Sequence, residues 1–256
     1  MYPENEDLRE GLTQLLESGE STDLIVRTAL RHIPVHKLIV CAQSPVLKAI
    51  CTSGFKETSS NIIDLTDDKS ESIERLVHFF YDGHYYVTEE GPGTVGEVEL
   101  NLSEHIEMYA LADKYDIDGL KKAAIQGYKM TLDLATGRET IRQNIRKALL
   151  TTLAKVFEST PDSSRGLRDA AIMHIISFAD DVVSDQKLKT LLYERCQEIP
   201  HLSWAIMCGK AGNFCLSCKN TGQTKCPECE QHEKVQKARR HEAEWHEGGL
   251  HGGWGE

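Results

Sequence analysis

The chain has 256 residues, enough for one or two domains with a sizeable core, and its 40% hydrophobic and 27% charged residues are the balance of an ordinary globular protein. A formal net charge of -11 argues against broad electrostatic binding to nucleic acid or to an anionic membrane, since both need a basic surface. The run Met1 to Asp7 is polar and acidic, without the basic flank and apolar stretch of a secretory signal, and no segment approaches the roughly 18 uninterrupted apolar residues of a membrane span. The expected location is therefore cytoplasmic or nuclear, where thiols stay reduced, so the eight cysteines read as core residues or metal ligands before disulfides.

Residues 1–20 read as a short amphipathic helix, with Leu8, Leu12, Leu15 and Leu16 at helical spacing. From 21 to 128 strands and helices mix. Leu24 to Arg27 and Arg31 to Pro34 read as paired short strands, and His36 to Ala42 reads as a buried apolar helix. A second helix is expected from Ser44-Pro45, because a serine oxygen can accept from the free amides of a first turn and proline suits the first helical position. Gly54 can stop it in a left-handed conformation. Ile62 to Leu65 reads as a strand, and Ile73, Leu76, Val77 and Phe80 mark one buried helix face. From His84 to Asn101 a long acidic loop is expected, broken by Gly91-Pro92-Gly93 and Gly96; Ile106, Tyr109, Ala110 and Asp113 then open a further helix.

Residues 129–207 read as helical throughout. Ile141, Ile145, Leu149, Leu153 and Phe157 recur at steps of four, and Thr160-Pro161 ends that element. Ser163 or Ser164 can cap the next helix, which carries Leu167, Ala170, Ala171, Ile175, Ile176 and Ala179; Leu188, Leu191, Leu192 and Cys196 mark a third that ends near Pro200. In residues 208–232, Cys215, Cys218, Cys226 and Cys229 form C-x2-C-x7-C-x2-C. Each C-x2-C turn aims two sulfurs at one point, and two turns supply the four thiolates of a structural zinc site, with Cys208 and His232 near enough to replace one. So short a segment buries little core, so metal would largely fold it. Residues 233–256 alternate charge and end in glycine pairs, as a flexible tail does.

Seven blocks of residues 21–128 resemble the BTB/POZ family in order and spacing. They are Ser21-Thr22-Asp23-Leu24, Pro34-Val35-His36-Lys37, Cys41 to Leu47, Gly54-Phe55-Lys56-Glu57, Ile63-Asp64-Leu65, Phe79 to Gly83 and Tyr109 to Ile117. In overall style the chain looks like the fungal BTB proteins with a helical C-terminal extension. The resemblance implies an α/β fold, a small mixed sheet flanked by helices, followed by the α-helical extension and the cysteine cluster. It implies a docking platform and no enzyme. The residues agree, since no nucleophile–base arrangement or phosphate-cradling glycine loop is legible in this region.

The resemblance also points to binding residues. Phe55-Lys56-Glu57 is similar to the hydrophobic-x-Glu motif that some BTB domains present to a cullin scaffold. An exposed aromatic can fill a partner's pocket while the carboxylate adds a directed contact; equally, Phe55 can tuck into its own domain. Asp23 and Lys37 occupy positions resembling the charged pair at the dimer-groove floor of several BTB domains, and as bare residues read as a strand-end aspartate and a surface lysine. His36 reads as a satisfied core histidine. The leading helix suggests a homodimer or a cover for its own domain, and Met1 to Asp7 lacks the strand pattern of the swapped dimers. The functional expectation is a protein-interaction adaptor or scaffold that recruits substrate to a cullin-type ubiquitin ligase. The alternative is a nuclear regulator that dimerises through the BTB segment and uses the zinc segment on protein or nucleic acid. Lys219, Lys225, Lys234, Lys237, Arg239 and Arg240 favour the latter, and Glu228, Glu230, Glu233, Glu242 and Glu244 dilute them.

Overall fold

The computed structural model describes residues 6–52, 61–87, 94–134, 139–160 and 165–210. Three strands form one sheet in the order β2-β1-β3, from β1 (Leu24–Arg27), β2 (His32–Val35) and β3 (Ile62–Asp64). β1 pairs antiparallel with β2, Leu24 opposite Val35, and parallel with β3, Val26 opposite Ile63. Thr28 closes the hairpin: its hydroxyl accepts from the Leu30 and Arg31 amides and donates to the Arg31 carbonyl, which fixes the register. Alternation places Leu24, Val26, Val35 and Ile63 on one face, and all four are buried.

Around this sheet lie α1 (Glu6–Ser18), α2 (Lys37–Gln43), α3 (Pro45–Thr52), α4 (Ser70–Asp82), α5 (Val95–Lys114) and α6 (Asp118–Asp133). Ser44 separates α2 from α3 as its chemistry requires. Its hydroxyl accepts from the Leu47 amide at 3.1 Å and donates to the Tyr115 carbonyl at 2.6 Å, pinning the α2–α3 corner to the end of α5. In α4 the expected stripe of Ile73, Leu76, Val77 and Phe80 is buried, together with Phe79 and Tyr81. Gly83 ends α4 at φ 72°, where a side chain would be strained, and its amide donates to the Phe79 carbonyl. Asp116 takes φ 54° between α5 and α6, letting the Ile117 amide reach the Ala112 carbonyl at 2.8 Å and turning the chain sharply.

Two expectations fail here. The acidic connection does not run to Asn101: α5 starts at Val95, behind a capping box in which the Thr94 hydroxyl accepts from the Glu97 amide and the Glu97 carboxylate accepts from the Thr94 amide at 2.7 Å. Gly96 lies in the first helical turn and does not break it, and Val98, Leu102, Ile106 and Tyr109 carry the buried face. Nor is α2 buried as a whole. Of its seven residues only Val40 is sealed, because a helix packed only on α3 and α4 turns one face inward.

The remaining helices are α7 (Glu139–Ser159), α8 (Gly166–Ser177), α9 (Ala179–Ser184), α10 (Gln186–Glu198) and α11 (Leu202–Lys210). The step-of-four stripe of α7 packs against α5, with Ile145, Leu149 and Leu153 fully covered and Ala148, Leu150 and Val156 widening the face. Glu107 of α5 fastens this layer, accepting from Lys155 at 2.7 Å, Lys69 at 3.1 Å and Ser72 at 3.0 Å. The Lys155 and Lys69 ammoniums hold its carboxyl below the usual range against the opposing push of burial. One apolar core runs from the sheet through α7 and α8 to Leu202. Helix α6 spans the expected junction at residue 128, so sheet segment and extension share that core.

Candidate protein-interaction surface

Two helices packed on α4, α1 and α2, carry exposed apolar side chains. Helix α1 divides its leucines as its spacing dictates: Leu12 and Leu16 pack onto the core, whereas Leu8 and Leu15, seven residues apart and so on one face, stay 58% and 38% exposed. One face of this helix thus covers its own domain, as the second of its two readings had it, and the other face is open to solvent. Arg9 locks α1 in place. Its guanidinium donates to Asp82 Oδ1 at 2.8 Å and to His84 Nδ1 at 2.7 Å, at the end of α4. Arg9 and Tyr86 thereby hold the Asp82 carboxyl below the usual range, although burial pushes it the other way.

Helix α2 is capped from outside. The Asp23 carboxylate accepts from the Lys37 backbone amide at 2.7 Å, satisfying one of the donors that every helix start leaves free. The two dimer-groove candidates thus do meet, through the main chain of Lys37. His36, just before the helix, has every nitrogen occupied. Its Nε2 faces the Glu20 carbonyl at 2.8 Å and so must donate, which leaves Nδ1 to accept from the Tyr81 hydroxyl at 2.8 Å, while the His36 amide donates to that same hydroxyl. It is satisfied, as the sequence suggested, but half-buried and not in the core. Behind it, Leu38 points outward and is 81% exposed, the most exposed large hydrophobic side chain among the described residues. Sequence reasoning missed Leu38 because it counted the apolar run as wholly buried. A helical projection would have found it, since Leu38 and Val40 lie on opposite sides of a helix.

The partner-binding candidates Phe55, Lys56 and Glu57 lie outside the described residues, and so do the candidate zinc ligands Cys215, Cys218, Cys226 and Cys229. Among the described residues no helix is long and apolar enough to cross a membrane.

A small sheet clasped by helices thus covers a sealed core while Leu8, Leu15 and Leu38 stay open to solvent. Residues 12–129 match the BTB/POZ domain family. This part of the chain is a BTB/POZ domain, a protein-interaction module. The chain is also similar to a BTB/POZ domain-containing protein of Arabidopsis thaliana, 26% identical over 196 residues that cover 75% of this chain and 79% of the relative. That similarity runs well past the BTB/POZ domain and so takes in helical extension. Kelch-like protein 38 of Homo sapiens is 23% identical over 153 residues, 60% of this chain and 26% of the relative. Kelch-like protein 40 of Xenopus tropicalis is 26% identical over 83 residues, 32% of this chain and 14% of the relative, so the chain spans only a minor part of the Kelch-like proteins it matches.

Proposed function

We propose that this protein is an adaptor that self-associates through the α1–α2 edge of its BTB/POZ domain and delivers a bound protein to a cullin-type ubiquitin ligase. The observation that carries the self-association is the exposed apolar set Leu8, Leu15 and Leu38 on helices whose opposite faces are packed and pinned by Arg9 and Asp23. Well-anchored helices with uncovered leucines are suited to burying that surface against a second protein. The cullin contact is supported by the resemblance of Phe55-Lys56-Glu57 to a hydrophobic-x-Glu motif and by the similarity to Kelch-like proteins. The helical layer of α7 to α11, continuous with the BTB/POZ core, would extend the docking face.

Two measurements test the reading. Sedimentation of the intact chain should give a dimer that Leu8→Ser with Leu38→Ser converts to a folded monomer; a wild-type monomer would refute self-association. Pull-down from cell extract should recover a cullin with the wild type and lose it with Phe55→Ala and Glu57→Ala. Equal recovery with that double variant, or none with the wild type, removes the ligase role. The thiolates of Cys215, Cys218, Cys226 and Cys229 are proposed to hold one structural zinc per chain. Metal analysis of purified protein, with Cys226→Ser as the control that should lose it, checks this separately.

A further inference from the structure

A groove of about 790 Å3 runs between α1 and α4, the two helices that Arg9 ties together. It is lined by Arg9, Glu10 and Glu17 of α1, by Arg75 and Asp82 of α4, and by Tyr86. Its charges do not balance. Each guanidinium is matched by a carboxylate, Arg9 by Asp82 at 2.8 Å and Arg75 by the buried Glu104 at 2.7 Å. Glu10 and Glu17 are exposed, and neither has an ion pair or hydrogen bond among the described residues. Seven residues of helix put them on one face, roughly 10 Å apart. They stand two positions on from Leu8 and Leu15, hence on nearly the opposite side of α1. Tyr86 is 70% exposed and adds an aromatic ring, its hydroxyl donating to Asp82 Oδ2 at 3.1 Å. Two spare carboxylates and an aromatic ring in one groove suit lysine and arginine side chains, which pair with the former and lie over the latter.

The chain itself carries a segment of that chemistry. Lys234, Lys237, Arg239 and Arg240 fall within seven residues that include no acidic one. We propose that this basic run, residues 234–240, docks in the α1–α4 groove of its own chain, with its cations on Glu10 and Glu17. The spacing fits. In an extended chain, residues three positions apart stand about 10 Å apart, so Lys234 with Lys237, or Lys237 with Arg240, matches the two carboxylates. The reach fits as well. The 23 residues between Lys210 and Lys234 can span about 75 Å, whereas a globule of about 210 residues is about 45 Å across. Docking tethers the stretch that carries Cys215 to Cys229 to the BTB/POZ domain and leaves the leucine face of α1 open. The contact therefore does not depend on self-association.

The test uses the full chain. A carbodiimide, which joins a carboxylate to a lysine amine in direct contact, is applied to an equal mixture of unlabelled and isotope-labelled protein, and the tryptic peptides are weighed. Expected are amide links from Glu10 or Glu17 to Lys234 or Lys237, always within one label. Links between an unlabelled and a labelled peptide would put the run on a second copy and overturn the proposal. So would lysine links that avoid Glu10 and Glu17. The second readout is the rate at which trypsin cuts the native protein after Arg240 at pH 8, where histidines such as His78 of the groove are uncharged. Glu10→Gln with Glu17→Gln changes the groove and not the run; Lys234→Gln with Lys237→Gln changes the run and not the groove. Each pair should be cut several-fold faster than the wild type at low salt, and about 0.5 M sodium chloride should abolish the difference. Equal rates in all three proteins at low salt overturn the proposal.

Discussion

Helices α2 and α4 lie on the same domain, and α2 has the larger share of apolar residues, five of seven against six of thirteen, yet they end in different environments. In α4 eight residues are buried, including both Phe79 and Phe80, and in α2 only Val40 is. The difference lies in what covers them. Helix α4 is sandwiched between α1, α2 and α5, so nearly its whole circumference meets protein, whereas α2 has neighbours only on its inner side. An apolar residue on α4 is therefore stabilising for the monomer. An apolar residue on the outer side of α2 is available to something else.

The contrast is sharpest in side-chain truncations. Leu102→Ala, in the fully covered face of α5, should cost about 2–5 kcal/mol of unfolding free energy, whereas Leu38→Ala should stay within about 0.5 kcal/mol when the protein is held dilute enough to be monomeric. Urea unfolding of both decides it, and similar losses would mean that α2 is covered by its own chain. Acid should act next, through a buried histidine of the interior. Burial, then the Arg75 guanidinium, lower His105 from 6.5 to about 4, and its Nδ1 shares a hydrogen bond with the Tyr85 hydroxyl at 2.7 Å. Between those two pH values the unfolded chain takes up a proton that the folded chain refuses. Stability therefore falls as pH drops through that window, by at most about 3 kcal/mol. Thermal melts from pH 7 to 4 should show this slope, and His105→Gln should flatten it; an unchanged slope refutes the assignment.

A smaller effect separates packing from helix propensity. Gly127 is in α6, where alanine would ordinarily gain about 1 kcal/mol as a helix former. A β-carbon there would stand 2.4 Å from Cε1 of the His105 ring, which Tyr85 holds in place. Gly127→Ala should therefore destabilise, by about 1–3 kcal/mol, and a rise in melting temperature would show that the ring gives way. Smallest is the cap of α2. Asp23→Ala should lose about 1 kcal/mol in chemical denaturation, because the Lys37 amide is left without its acceptor. Asp23→Asn should recover most of that, since an amide oxygen can still accept; failure to recover would assign the effect to the charge.

Much of this molecule was legible before the coordinates. The strand hairpin, the Ser44-Pro45 helix start, the α4 stripe and the α7 stripe are all local patterns, in which spacing alone tells which side chains share a face. The start of α5 was legible too and was misread. Thr94 and Glu97 stand in the spacing of a capping box, but the acidic residues and Gly96 drew attention to a loop. Other features had no local signal. Nothing near Arg9 announces Asp82 and His84, and nothing near Lys37 announces Asp23 as its cap.

From the chain alone follow the periodicities, hence the helices and strands, and the seven blocks between Ser21 and Ile117 that resemble the BTB/POZ family, whose match covers residues 12–129. Tertiary packing alone settled which apolar residues were left over. A helix always has an outer side, and only the position of its neighbours decides whether that side meets protein or water. For this reason Leu12 is core and Leu8 is surface on the same helix, and Val40 is sealed while Leu38, two residues away, is not.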